Sequence, residues 1–303
     1  MPRRGEEAAL ERVPGDARLR YRVVAEVVGS ESLPGAHHRL RLRAPEIAAC
    51  AEPGQFLQVW CHPPEDIARP PAAALLRRPL SISRLRPPDD LELLLRVRGV
   101  GGAMLARKAV GDALDVIGPL GHGFEIPANL RLAVIVAGGI GLAPVPFLIE
   151  CLVAEGIKVV VLAGAREDAR APFPVTRPVG EPATLTDLMA LGAADVSYCT
   201  EALEGRMVGA LLCARLQEFL AAGAGFYAIG PRAMLRYITA TIAGRASLQV
   251  SLEERMACGV GACRSCVVPV IGQEGPELVT VCREGPVFQA SEIDWERLRD
   301  ANP

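Results

Sequence analysis

The chain has 303 residues, half of them hydrophobic, which is enough for two or three domains with sizeable cores. Its formal net charge is −2 and no block of like charge interrupts it, so nucleic acid is not an expected partner. Nine cysteines without a recognisable secretory leader point to a reducing compartment, read here as cytoplasmic.

Residues 1–17 are charged, lack a long apolar stretch and read as a flexible tail. The next third is patterned as strand. Leu19 to Val28 alternates in part, and His38-Arg-Leu-Arg-Leu-Arg-Ala alternates strictly, as a half-buried strand does. Phe56-Leu-Gln-Val-Trp follows the turn signal Glu52-Pro-Gly. Pro79 to Arg84, Leu91 to Arg98 and Ala113 to Ile117 continue the series. Short strands at this spacing predict a small closed Greek-key β-barrel over 18–126, with His62 to Ala74 as a Pro/Ala-rich surface loop.

Two stretches of that barrel carry candidate chemistry. In Arg77-Arg-Pro-Leu-Ser, an arginine three residues before a serine on a strand edge suits a flavin. The planar guanidinium of Arg78 matches a pyrophosphate, Ser81 can bond near the flavin N5, and Leu80 can lie on the ring. An ordinary edge strand with surface arginines is the competing reading. In Leu94-Leu-Arg-Val-Arg-Gly-Val-Gly-Gly, a strand ends in glycines and a helix begins. Backbone N–H groups at Gly101 and Gly102, with Arg96 nearby, could receive the pyrophosphate; a glycine-rich hairpin is the alternative.

The middle third changes period. Leu132 to Ala137 reads as a buried strand, followed by a helix through Glu150 and a strand from Lys158 to Ala163. A strand at Asp195 to Cys199, a helix around Ala210 to Ala222 and a strand at Gly225 to Ile229 come next. Strands alternating with helices predict a parallel, Rossmann-like α/β domain over 127–245. Leu132 to Ile149 lacks charge for eighteen residues, but Gly138, Gly139, Gly141, Pro144 and Pro146 break it, so no membrane span is expected. Val134-Ile-Val-Ala-Gly-Gly-Ile-Gly-Leu-Ala-Pro sits where a first strand-to-helix turn binds dinucleotide phosphate, although it lacks the full GxGxxG spacing. Arg166 suits a 2′-phosphate whereas Glu167 and Asp168 would repel one, which leaves NAD and NADP both open. Tyr227-Ala-Ile-Gly-Pro ends a later strand and could face a nicotinamide; a plain strand-to-helix turn is the alternative.

Residues 246–303 hold the most specific signal. Cys258, Cys263 and Cys266 are spaced C-x4-C-x2-C, and Cys282 follows after fifteen intervening residues. This is the plant-type spacing for a [2Fe–2S] cluster. Gly259 and Gly261 let a tight loop wrap it. Structural zinc and unligated cysteines are the alternatives; zinc sites usually show two paired knuckles, and Cys282 stands alone. Cys50, Cys61, Cys151, Cys199 and Cys213 are scattered and read mostly as small core residues. His37, His38, His62 and His122 are not spaced as metal ligands and are expected on loops.

In this order the pieces resemble the electron-transfer subunit of class 1B dihydroorotate dehydrogenase, within the ferredoxin-NADP reductase superfamily. The likeness runs from about Arg20 to Asp294. It rests on Pro53-Gly-Gln-Phe, Arg78-Pro-Leu-Ser, Gly118-Pro-Leu-Gly, Ala137-Gly-Gly-Ile-Gly-Leu-Ala-Pro, Gly230-Pro and, above all, Ser251-Leu-Glu-Glu-Arg-Met-Ala-Cys-Gly-Val-Gly-Ala-Cys with Glu284-Gly-Pro-Val-Phe. The resemblance implies FAD in the barrel, NAD in the Rossmann-like domain and a [2Fe–2S] cluster on Cys258, Cys263, Cys266 and Cys282. It carries FAD contacts onto Arg78, Pro79, Leu80, Ser81, Leu94, Leu95, Arg96, Gly101 and Gly102, and nucleotide contacts onto Gly138, Gly139, Gly141, Gly230 and Pro231. It also implies a partner: an FMN-containing catalytic subunit that oxidises dihydroorotate in pyrimidine synthesis, in a hetero-oligomer that sends electrons to NAD+. No side-chain acid or base is required in this chain. Three departures stand out: Gly102 where the family often has threonine, Ile229 where cysteine is frequent, and Glu284 where aspartate is common. The rival readings are the small subunit of a ferredoxin:NADP oxidoreductase, sulfide dehydrogenase or hydrogenase diaphorase, which share the modules, and a zinc-stapled nucleotide-binding regulator.

Overall fold

The computed structural model describes residues 8–9, 20–68, 73–177, 183–201, 207–272 and 275–298. The expected N-terminal tail lies outside them, apart from the two-residue strand β1 (Ala8–Ala9), as do residues 69–72 of the Pro/Ala-rich loop.

Six antiparallel strands close a barrel: β2 (Tyr21–Leu33), β3 (His37–Arg43), β4 (Phe56–Val59), β5 (Arg78–Arg86), β6 (Asp90–Arg96) and β7 (Ala113–Leu120). Their order is β2-β3-β6-β5-β4-β7, and β7 pairs back onto β2. Alternation explains the wall: Leu40 and Leu42 of β3 are fully buried, while Arg39 and Arg43 point out to Glu31 and Glu26 at 2.8 and 3.2 Å. Leu57, Val59, Ile82, Leu93, Leu114 and Val116 fill the interior.

Next come β8 (Leu132–Gly138), β9 (Lys158–Ala165), the short antiparallel pair β10 (Val175–Thr176) and β11 (Thr184–Leu185), β12 (Asp195–Thr200), β13 (Gly225–Ile229) and β14 (Leu248–Ser251). In the second sheet β12, β9, β8, β13 and β14 lie side by side in that order, all parallel. β17 (Val287–Gln289) is added antiparallel to β14 from beyond Cys282, so the C-terminal segment is stitched to this sheet. The order in which the chain adds strands reverses between β8 and β13, the switch point at which α/β sheets open a crevice. The apolar run from Leu132 resolves into β8, a 3-10 turn (Gly139–Leu142) and the helix Val145–Ala154. That helix leans on the barrel: Phe147 joins the barrel core, and Arg84 donates to Glu150 at 2.7 Å. Among the described residues no helix is long and apolar enough to cross a membrane.

A two-stranded hairpin, β15 (Val267–Gly272) and β16 (Gly275–Thr280), completes the cysteine segment. Cys266, Val268, Val281 and Cys282 are buried in one core with Phe56 and Leu120 of the barrel and Phe226 and Val250 of the sheet.

Three of the four histidines are not loop residues on the surface. His37 and His38 begin β3 and are buried, and His62 is buried too; only His122 is exposed. Each buried ring finds a partner inside: Pro34 O for His37 (2.9 Å), Ser30 Oγ for His38 (3.0 Å) and Ala73 O for His62 (2.6 Å). Burial holds the His37 and His38 imidazoles below their ordinary pKa. Of the scattered cysteines, Cys61 and Cys199 are core residues, Cys50 and Cys151 are half-buried, and Cys213 is exposed.

Candidate functional site

Barrel and parallel sheet enclose a cavity of about 460 Å³ between them. Barrel residues Arg78, Pro79, Leu80, Ser81, Leu94, Leu95, Arg96 and Gly102 line one wall. Ile140, Gly141, Ala143, Pro144 and Ile229 line the other, and Ser251 to Glu254 with Met256 close the side. The volume suits a bound small molecule held by apolar walls and a few polar groups.

The two adjacent arginines have separate duties. Arg77 turns inward, pairs with the buried carboxylate of Asp115, donates to Asp115 O at 2.9 Å and lies over the Trp60 ring at 5.8 Å. Arg78 faces the cavity, with Nη1 donating to Leu76 O at 2.8 Å. β6 ends at Arg96, and the helix Gly99–Leu105 starts immediately after Arg98. Gly101 does not line the cavity. It lies behind Arg78, where a Cβ would come within 2.7 Å of Nε and 2.8 Å of Nη2. Its bare backbone is what lets the guanidinium lie across the helix start. Burial draws the Arg96 pKa down, and the charges of Arg98, Arg170 and Arg166 add to that effect. The charges of Arg98, Arg170 and Arg166 are thus felt at Arg96, and the charge of Glu167 acts against them. Glu167 is held by Arg170 at 2.6 Å and Asp168 by Arg177 at 2.8 Å, so each acid is paired with an arginine.

At the switch point the glycines divide. Gly141 lines the cavity, whereas Gly138, Gly139, Gly230 and Pro231 do not. A Cβ on Gly141 would lie 2.5 Å from Ile229 O and 2.8 Å from the Gly230 Cα, so close packing of two backbones requires glycine there. Tyr227 does not face the cavity. It is a core residue whose hydroxyl donates to Glu125 O at 3.2 Å, and Ile229 lines the wall instead.

Sequence reasoning passed over Arg98, Glu253, Glu254 and Met256. Glu253 and Glu254 fall inside a quoted motif, yet only the fold turns them toward the cavity. Glu253 is exposed at the edge of the cavity, where the charge of Arg98 acts on it. Glu254 pairs with Arg232.

Met256 leads directly into the cysteine loop. Cys263 is exposed, Cys258 half-buried, and Cys266 and Cys282 are buried. Cys263 N donates to Cys258 Sγ at 3.4 Å, Cys263 acts electrostatically with Cys258, and Cys282 acts with Cys266 and Cys258. Gly259 and Gly261 have φ of 73° and 84°. That left-handed geometry aims backbone N–H groups at sulfur: Val260 N to Cys258 Sγ at 3.4 Å, and Gly261 N to Cys282 Sγ at 3.1 Å. Hydrogen bonding from Ser265 draws the Cys263 thiol down to about 6, while burial pushes Cys282 up to about 12. Glu284 accepts from Thr280 N at 2.8 Å and Thr280 Oγ1 at 2.6 Å, bracing the turn that carries Cys282. Among the described residues no three His, Cys, Asp or Glu side chains gather closely enough to hold a single metal ion. Four thiols with N–H donors on the sulfurs of Cys258 and Cys282 fit a dinuclear iron–sulfur group better than one zinc.

Comparison with known proteins agrees. Residues 253–294 match the family model of the iron-sulfur cluster binding domain of dihydroorotate dehydrogenase B. The chain is 34% identical over 275 residues to the dihydroorotate dehydrogenase B (NAD(+)) electron transfer subunit of Enterococcus faecalis, covering 88% of this chain and 96% of that one. It is 36% identical over 261 residues to that of Geobacillus kaustophilus, covering 84% and 92%. Among solved structures, an NADH-dependent reduced ferredoxin-NADP oxidoreductase superposes with a TM-score of 0.72 at 23% identity, over 91% of each chain. Phthalate dioxygenase reductase superposes with a TM-score of 0.53 at 15% identity, over 86% of this chain and 77% of the other. These two structures show the same fold.

Proposed function

Because the chain belongs to the electron transfer subunits of dihydroorotate dehydrogenase B (NAD(+)), we propose that its cavity and cysteine loop carry electrons between NAD+ and an FMN-containing catalytic subunit, within the synthesis of pyrimidines. When bound, FAD supplies two-electron exchange with the nicotinamide and one-electron exchange with a [2Fe–2S] cluster. The chain itself supplies binding, orientation and exclusion of water.

The chain divides into a flavin barrel at 18–126, a nucleotide domain at 127–245 and a cluster module at 246–303. Arg78 holds the flavin pyrophosphate as a fork, with Gly101 and Gly102 leaving it room. Pro79, Leu80 and Ser81 seat the ring along β5, and Leu94, Leu95 and Arg96 support the other edge. NAD enters at the switch point beside Gly138, Gly139, Gly141, Gly230 and Pro231. Cys258, Cys263, Cys266 and Cys282 ligate the cluster, and the exposed Cys263 faces the side from which a partner approaches. A cytoplasmic location belongs to the same proposal, since all nine cysteines are free of disulfides.

One observation carries the reading: Met256, a wall residue of the cavity, lies two positions before Cys258, so flavin site and cluster loop are contiguous. The test is co-expression with the catalytic subunit, measurement of flavin and iron per chain, and assay with dihydroorotate and NAD+. FAD, two irons and NAD+-dependent turnover are expected. Protein that folds with the partner yet carries neither FAD nor iron would overturn the reading.

A further inference from the structure

Gln58 is neither a wall residue of the cavity nor part of the cysteine loop. It lies in β4, where its backbone pairs with Pro79 of β5 on one side and Ile117 of β7 on the other. It is 0% exposed, and neither atom of its amide has a hydrogen-bond partner. Exchanging the amide oxygen and nitrogen leaves the same two orphans. The side chain packs against Gly259, the residue after Cys258. A Cβ placed on Gly259 would lie 2.6 Å from Gln58 Nε2 and 2.9 Å from Cδ.

A buried amide offers two N–H donors and costs free energy unless they are met. In the same loop, the N–H groups of Val260 and Gly261 already point at the sulfurs of Cys258 and Cys282. Gln58 approaches from the barrel, where an iron–sulfur group would present further acceptors.

We propose that the Gln58 side-chain N–H donates to a sulfur of the iron–sulfur group beside Cys258, and so sets its reduction potential relative to the flavin. This rests on the function proposed above. Reduction adds negative charge to the sulfurs, and a donor favours the reduced state; hydrogen bonds to sulfur are among the determinants of cluster potential. Because the backbone of Gln58 is paired with Pro79, one residue spans the flavin strand and the cluster loop. It is a positioning and tuning residue with no part in the transfer of hydride.

The test uses the complex with its catalytic subunit, with iron and acid-labile sulfide measured first. Absence of a cluster from the folded complex would overturn the proposed function and, with it, the role of Gln58. With cluster present, dithionite-reduced wild-type complex carrying 15N in its glutamine side chains is compared by pulsed EPR with unlabelled complex. A changed nitrogen coupling is expected, and no change overturns the proposal. A redox titration gives the second reading. Gln58→Leu should make the cluster harder to reduce by about tenfold in equilibrium constant, about 59 mV for a one-electron couple. Gln58→His, which keeps a ring N–H, should recover most of that shift. A cluster-loaded Gln58→Leu complex with unchanged midpoint and g values also overturns the proposal, because a merely structural contact would leave both in place.

Discussion

Glycine serves different physics in the nucleotide turn and in the cysteine loop. At Gly141 the constraint is space: a Cβ would press within 2.5 Å of Ile229 O, and neither backbone can yield without parting β8 from β13. At Gly261 the nearest atom to a Cβ is Cδ of the flexible Arg283 at 3.2 Å, and the constraint is conformation, a φ of 84° that turns its N–H toward Cys282 Sγ. The first turn is therefore built to bring two strand ends together. The second is built to aim donors. Both read as glycine-rich in the sequence, and only the packing separates them.

Four substitutions sharpen that contrast. The largest effect belongs to Cys263→Ser, which removes the exposed thiol of the aiming loop. Dihydroorotate-to-NAD+ turnover should fall by at least on the order of a hundredfold, beyond what loss of an outer-shell contact does. Stopped-flow reduction of the flavin by NADH should stay near wild type; equal loss of both rates would make the loop structural. Next is Arg78→Ala on the cavity wall. It removes charged hydrogen bonds worth about 1.5–3 kcal/mol, so FAD should dissociate roughly tenfold to a hundredfold more readily in a fluorescence titration. Unchanged affinity would move the pyrophosphate elsewhere.

Gly141→Ala should cost about 1–3 kcal/mol of stability through overpacking, seen as a lower midpoint in thermal or urea unfolding. Hydride transfer should slow with it, while iron content holds. Gly261→Ala is expected to be the mildest, about 1–2 kcal/mol of local strain from the left-handed backbone. Its N–H survives, so the readout is a partial loss of iron per chain with flavin content unaltered. If the two alanine variants gave the same pattern of losses, the distinction between the turns would be wrong.

Much of this was legible beforehand because it is local. The strict alternation from His38 to Arg43 gave a barrel strand, the broken apolar run at Leu132 gave a strand, turn and helix, and the spacing of Cys258, Cys263, Cys266 and Cys282 marked the segment that matches an iron-sulfur cluster binding domain. Other features were hidden. Nothing in Arg77-Arg78 says which arginine turns inward; Asp115, on β7 at the closing edge of the barrel, decides it. His37 and His38 lack ligand spacing and suggested loops, whereas β3 buries them against backbone and hydroxyl partners. Tyr227 shares its strand with Ile229, but only the latter reaches the cavity. Gln58 gave no signal, since an amide in a short strand looks the same whether it meets water or the cysteine loop.

Sequence alone determined the order of the modules, the period of each element and the C-x4-C-x2-C spacing of the cysteine loop, because alternation, helix period and cysteine spacing act over a few residues. Tertiary structure decided which side chains share the cavity and which glycines stand behind it. Those outcomes depend on barrel closure, on the reversal between β8 and β13 and on the return of β17. Each of these joins segments far apart in the chain, and no local pattern encodes the face that results.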